Sequence, residues 1–229
     1  KPEGEDRFAR FYLHNFGKMF LLADPPDYEP RMEDSIAAIA RRRSIPPAEL
    51  ALDHMLERGG NGLLYFPALN YSAGSLDPSF EMMARANTVL GLGDVGAHVG
   101  TICDASFTTS MMTFWTRDRK RGPKLDLPWV IKAHARDTAR AVGLNDRGLL
   151  KPGYRADINV IDYGNLVLRA PEVAHDLPAG GRRLIQRAEG YTATVCAGEI
   201  TYRDSRATGK LPGRLVRGAQ PAPILQAAE

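Results

Sequence analysis

Between Asn145 and Lys151 the sequence changes its period, and that change constrains the fold more than any other feature. Upstream, helical spacing alternates with short apolar runs; downstream, alternating or continuous apolar stretches are cut by glycine turns, the pattern of a β-rich region. Four upstream helices are predicted. The first lies in Glu29–Arg43, with Glu33 and Asp34 at its start and Arg41, Arg42 and Arg43 at its end, charges that suit the helix dipole. The second opens on Pro46 and Pro47 and closes on Gly59 and Gly60, and the third runs from Asp126 and Pro128 to Gly143. A shorter amphipathic helix is predicted over Ser79–Ala86. The apolar runs Leu63–Phe66 and Thr88–Leu92 read as buried strands. Downstream, Asp157–Asp162, Thr192–Ala197 and Ile200–Tyr202 read as strands, and the tail from Gly218 is expected to be loosely held.

The chain of 229 residues is long enough for a real core, with 44% apolar residues. Thirty basic against 27 acidic side chains leave a net charge of +3, too near balance to mark a nucleic-acid binder. No apolar run approaches the roughly 20 residues of a membrane span. Two cysteines, Cys103 and Cys196, make neither a disulfide framework nor a metal knuckle and fit a reducing, cytoplasmic compartment. The chain begins with Lys1 and shows no signal peptide, so a piece of a longer protein is expected.

The densest polar constellation is Gly93-Asp94-Val95-Gly96-Ala97-His98, directly after the run Thr88–Leu92. An acid at the C-terminal end of a strand, among glycines that let a ligand approach the backbone, is where α/β barrels hold catalytic groups. The same residues also read as a plain turn. His14, His54, His134 and His175 have no ligand spacing, and His54 and His134 suit packing roles within helices. The basic run Arg117, Arg119, Lys120, Arg121 reads as a solvated loop, and both cysteines as ordinary buried thiols.

Two segments together resemble the amidohydrolase superfamily, in its D-aminoacylase (N-acyl-D-amino-acid deacylase) branch. Val89-Leu90-Gly91-Leu92-Gly93-Asp94-Val95-Gly96-Ala97-His98 is similar to the eighth barrel strand with its catalytic Asp. Arg147-Gly148-Leu149-Leu150-Lys151-Pro152-Gly153-Tyr154-Arg155-Ala156-Asp157 and the strand to Asp162 resemble the family's passage from barrel into small β-sandwich. Asp24–Pro30, Tyr65-Phe66-Pro67 with Asn70-Tyr71, and Leu211–Gly218 extend the likeness.

The resemblance implies an α/β chain: the C-terminal part of a (β/α)8 metal-dependent hydrolase barrel over 1–146, then part of a small β-sandwich and a tail over 147–229. It implies zinc in the intact enzyme, held by ligands on strands that this chain does not contain; Asp94 is the one residue here that could reach a metal, and the fragment alone is expected to bind none and to be inactive. It implies that Asp94 takes a proton from the attacking water and passes it to the leaving amine. His98, Asn70 and Tyr71 are the implied substrate contacts, and a small acyl-amide is the implied substrate. Gly93 and Val95 depart from the family pattern, and no Arg in Thr101–Phe107 is present to meet a substrate carboxylate. A non-catalytic relative or binding domain, and a cyclic-amide hydrolase of hydantoinase or dihydroorotase type, are the alternatives. The apolar strands are expected to need cover from the missing N-terminal portion or from a second copy.

Overall fold

The computed structural model describes residues 13–91, 93, 96 and 98–224. Strand β1 (Phe20–Leu21) leads to a 3-10 turn, Met32–Asp34, and then to helix α1 (Ile36–Arg43). The acidic pair thus lies before the helix. Ser35 is extended and accepts the Ala38 N–H on its hydroxyl at 3.3 Å, so the helix starts at this cap. Helix α2 (Pro47–Gly60) carries its proline in the first turn and loses helical geometry at Glu57, Arg58 and Gly59. His54 packs beneath it, with Nε2 at 3.0 Å from the Leu63 carbonyl and Nδ1 at 3.0 Å from Glu57.

Strand β2 (Leu64–Tyr65) pairs with β1 antiparallel, Phe20 opposite Tyr65. It is two residues long and half-buried, in place of the fully buried strand expected. Met19, Ile36, Ala40, Leu50 and Ala51 form the first core beside it, with Ile36 and Ala40 wholly enclosed. Helix α3 (Asp77–Met83) starts two residues earlier than its predicted span and stops short of Ala86.

The stretch 88–91 is not a strand. Leu90 enters the core while Val89 is exposed, Gly91 has φ +148°, and no strand among the described residues lies alongside to accept its hydrogen bonds. Helix α4 (Phe107–Thr113) and the π turn Phe114–Asp118 that continues it lie in a stretch for which no helix is predicted. The helix predicted to end at Gly143 is formed in three pieces: α5 (Leu127–Lys132), a π turn (Ala133–Asp137) and α6 (Thr138–Ala141). The Asp126 carboxylate caps it by accepting the Trp129 N–H at 3.1 Å.

Beyond Gly143 the described chain is β-structure. Strands β3 (Ile158–Ile161), β4 (Val167–Leu168), β5 (Glu172–Leu177), β6 (Gly181–Ile185), β7 (Ala188–Glu189), β8 (Tyr191–Cys196), β9 (Glu199–Arg203) and β10 (Arg206–Ala207) follow in order. A four-stranded sheet runs β10-β9-β8-β3, with β4-β7 and β5-β6 as two-stranded partners. Every pairing between these strands is antiparallel. Asp157 and Ala156 enter β3 by holding the β8–β9 turn: Asp157 accepts the Ala197 N–H at 2.8 Å and Ala156 the Gly198 N–H at 3.0 Å. The tail is pinned further than its composition suggests, since Asn145 N–H donates to the Gln220 carbonyl and Gln220 N–H to Gly143, both at 2.9 Å.

The second core joins helices to sheet. Leu90, Met111, Met112, Trp115, Leu125, Val130, Ala133 and Leu166 are buried together, with Ile161, Tyr163 and Tyr191 packed against them. Gly148 closes the approach. Its φ is +81°, and a Cβ there would stand 2.7 Å from the Ala135 carbonyl oxygen, which is backbone and cannot swing away. Gly148→Ala is therefore expected to destabilise the chain by more than about 1 kcal/mol; a chemical-denaturation midpoint equal to the parent's would contradict this. No helix among the described residues is long and apolar enough to cross a membrane.

Candidate functional site

Asp94, the expected acid–base group, lies outside the described residues, and so do its neighbours Leu92, Val95 and Ala97. Around them the loop is defined. Gly93 sits against Asp104: a Cβ on Gly93 would lie 3.1 Å from both the backbone oxygen and Oδ1 of Asp104, so a side chain there would require Asp104 to give by a few tenths of an ångström. His98 is exposed at φ +49°, and its carbonyl accepts the N–H groups of Thr101 and Ile102 at 2.8 and 3.0 Å. The Val99 carbonyl accepts the Leu184 N–H at 2.7 Å, which ties the loop to strand β6.

Asn70 is exposed in the left-handed region at φ +59°. Tyr71 beside it is buried, and its hydroxyl donates to the Pro30 carbonyl and accepts from Arg121 at 2.7 Å. No hydrogen bond among the described residues joins Asn70, Tyr71 and His98 to one another.

The residue that organises this end of the molecule is Arg119, a member of the basic run expected to form a solvated loop. Its side chain is fully buried. The guanidinium grips Glu29 with two hydrogen bonds, 3.0 Å from Nε and 2.8 Å from Nη2, and also donates to Asp77 at 2.7 Å and to the Pro123 carbonyl at 2.9 Å. It lies 4.9 Å over the Trp115 ring. Glu29 in turn accepts the Leu76 N–H at 2.8 Å. Burial pushes the Glu29 carboxyl up, but the Arg119 hydrogen bonds, the Leu76 N–H and the charges of Arg119 and Arg121 together outweigh burial and hold it below the usual range. Asp77 is held low chiefly by its Arg119 hydrogen bond. Arg121 adds a bond to the Glu29 carbonyl at 2.8 Å, so Asp24–Pro30, the segment of Asn70 and Tyr71, and the basic run are clamped together. Only the charge alternation of Arg117, Asp118 and Arg119 hints at this, because the acids that Arg119 meets are 90 and 42 residues away.

A second polar line runs past the end of the glycine-rich loop. Gln186 donates to the Tyr28 hydroxyl at 2.8 Å and accepts from Ser106 at 2.5 Å, and Tyr28 packs edge-on to Tyr65 at 5.3 Å. Burial raises the Tyr28 and Tyr65 hydroxyls, so both stay protonated. The Cys103 thiol is pushed up by burial and by Asp104, which leaves it a poor nucleophile. His134, lowered by burial and stacked edge-on to Phe107 at 6.0 Å, stays neutral.

These residues do not fit a catalytic zinc. Among the described residues no three of His, Cys, Asp and Glu stand close enough to hold a metal ion. Both ring nitrogens of His54 are already engaged, and the His134 ring lies against Phe107.

Among known proteins, the adenine deaminase of Brucella suis biovar 1 (strain 1330) is 30% identical over 99 residues, a stretch that is 38% of this chain and 17% of that protein. The chain thus matches only a small part of the length of that relative. No solved structure matches. The family model described as "Amidohydrolase family" matches residues 31–202. That span takes in Arg119 and Tyr71, the segment from Gly93 to Gly100 and the sheet as far as β9, and the chain belongs to the amidohydrolase family.

Proposed function

We propose that this chain is the C-terminal part of a metal-dependent amide hydrolase of the N-acyl-D-amino-acid deacylase kind, continuing a (β/α)8 barrel over 1–146 and adding part of a β-sandwich over 147–229. The observation that supports this reading is the family match over 31–202, which spans both the Gly93-Asp94 segment and the turn from Gly148 into β3. Asp94 is the group that moves the proton: its carboxylate removes one from the attacking water and returns it to the nitrogen as the carbon–nitrogen bond breaks. Asn70 and His98, both exposed, contact the substrate, and Tyr71 holds the wall behind Asn70. The zinc ligands belong to strands outside this chain, and the rest of the polypeptide or a second copy covers its apolar edge. Two cysteines, too few and too far apart for a disulfide framework, support a cytoplasmic setting.

The adenine deaminase relative supports a second reading, hydrolysis of an exocyclic amine on a purine. The intact polypeptide, supplied with zinc and assayed against N-acyl-D-amino acids, their L-isomers and adenine, separates the two. Release of D-amino acid with adenine untouched supports the first reading. Ammonia from adenine replaces it with the second, and inactivity of the metal-loaded intact enzyme on every substrate overturns both.

A further inference from the structure

The basic run that binds the Arg119 clamp also borders a cleft of about 410 Å³ that no part of the proposed chemistry uses. That volume lies within the range of small-molecule sites. Pro25, Pro26 and Tyr28 form one wall, and Phe114, Val167 and Leu168 the apolar floor. None of its lining residues belongs to the glycine-rich loop, and neither Asn70 nor Tyr71 is among them.

The charges at its rim are unevenly satisfied. Of the four cations in the run, Arg117 is paired with Asp118 through two hydrogen bonds and Arg119 with Glu29 and Asp77. Lys120 and Arg121 line the cleft, and neither forms an ion pair among the described residues. Arg121 spends Nη2 on the Glu29 carbonyl and the Tyr71 hydroxyl, so its guanidinium is fixed in place while Nε and Nη1 donate to no acceptor among the described residues. The half-buried, pre-oriented guanidinium keeps Nη1 for one charge-assisted hydrogen bond to an anion, and the ammonium of Lys120 on the same cleft is suited to the anion's second oxygen. Four carboxylates also line the cleft: Glu29 and Asp118 are answered by Arg119 and Arg117, while Asp27 and Asp34 form no ion pair among the described residues and oppose a second negative charge; Arg31, the third cation of the lining, is paired with Glu33.

We propose that this cleft binds a small monocarboxylate with an apolar body, the carboxylate on Arg121 and Lys120 and the body over Phe114, Val167 and Leu168. The acids on the rim select it over a dianion such as phosphate. The site is separate from the Asp94 loop and does not depend on the hydrolytic reading.

Benzoate is the probe, with benzamide as its uncharged match and inorganic phosphate as the dianion, titrated into the full chain by calorimetry and by thermal shift. Saturable benzoate binding that raises the melting temperature is expected, with little from benzamide or phosphate. Arg121→Gln should weaken binding about tenfold, the effect of losing a charge-assisted hydrogen bond. Lys120→Gln, at an exposed side chain whose loss leaves the fold intact, should weaken it about threefold. Asp94→Asn should bind benzoate as the parent does. Absence of saturable binding, equal binding of benzamide, parental affinity in Lys120→Gln, or loss of binding in Asp94→Asn would each overturn the proposal.

Discussion

Replacing Arg119 with Met is expected to cost about 3–5 kcal/mol of stability, because it leaves the Glu29 carboxylate buried without its cation. The Met side chain fills much of the volume over Trp115, so the loss is electrostatic rather than a cavity. Converting the partner as well tests that cause: Glu29→Gln removes the stranded charge but keeps an oxygen for the Leu76 N–H, and the double variant should recover most of the deficit. A double variant as unstable as Arg119→Met alone would show that packing over Trp115 matters more than the stranded charge. The deficit also depends on pH. In the parent the Glu29 carboxyl is held below its unfolded value, so its contribution is present above that value and is lost as pH falls through the folded one. In the variant the Arg119 hydrogen bonds and charge are gone and only the Leu76 N–H and the Arg121 charge oppose burial, so the carboxyl rises, protonation relieves the stranded charge and stability is lost as pH rises. The gap between variant and parent should therefore be full near about pH 7 and should shrink near about pH 4 in denaturant titrations.

Asp94→Asn in the intact enzyme should lower turnover by at least about 100-fold, the lower end of what a positioned acid–base group contributes. Asn keeps the size and one hydrogen-bonding oxygen but can neither take a proton from water nor return one to a leaving nitrogen. The loss should therefore appear in kcat with KM little changed. Turnover within a few-fold of the parent would remove Asp94 from the reaction.

Local chemistry is legible in the sequence, and long-range pairing is not. Pro47, Asp126 and Gly143 mark helix ends by rules that act within a turn, and those helices begin or end where these residues stand, whereas the first helix starts later than its acidic pair suggests, at the Ser35 cap, with Glu33 and Asp34 in a 3-10 turn before it. The strands at Ile158, Tyr191 and Glu199 follow from alternation and the Ala197-Gly198 turn between them. Helix α4 is hidden because Thr108, Thr109 and Ser110 are weak helix formers, and Met111, Met112 and Trp115, buried in the core, stabilise it instead. The hairpin of β5 and β6 carries Arg183 paired with Asp176 on an exposed face, a charged pattern that imitates a loop. At the candidate site the loop of Asp94 and His98 and the pair Asn70-Tyr71 stand out by composition. Arg119 does not, since its partners come from distant parts of the chain and a buried arginine in a basic run has the same letters as a solvated one.

Leu166 in the midst of Met111, Trp115 and Val130 sets an order of events during synthesis. The helices leave the ribosome first, but the Tyr191 hydroxyl that meets Thr109 at 2.7 Å arrives 82 residues later, and the Tyr163 hydroxyl that meets Thr116 arrives 47 residues later. Until then the tryptophan and two methionines of α4 and the π turn after it have only Leu90, Leu125, Val130 and Ala133 of their core around them. The nascent chain therefore passes through a stage in which its helices are made and their core is only partly covered, and the cover is completed by Tyr163 and Leu166 and last by Tyr191.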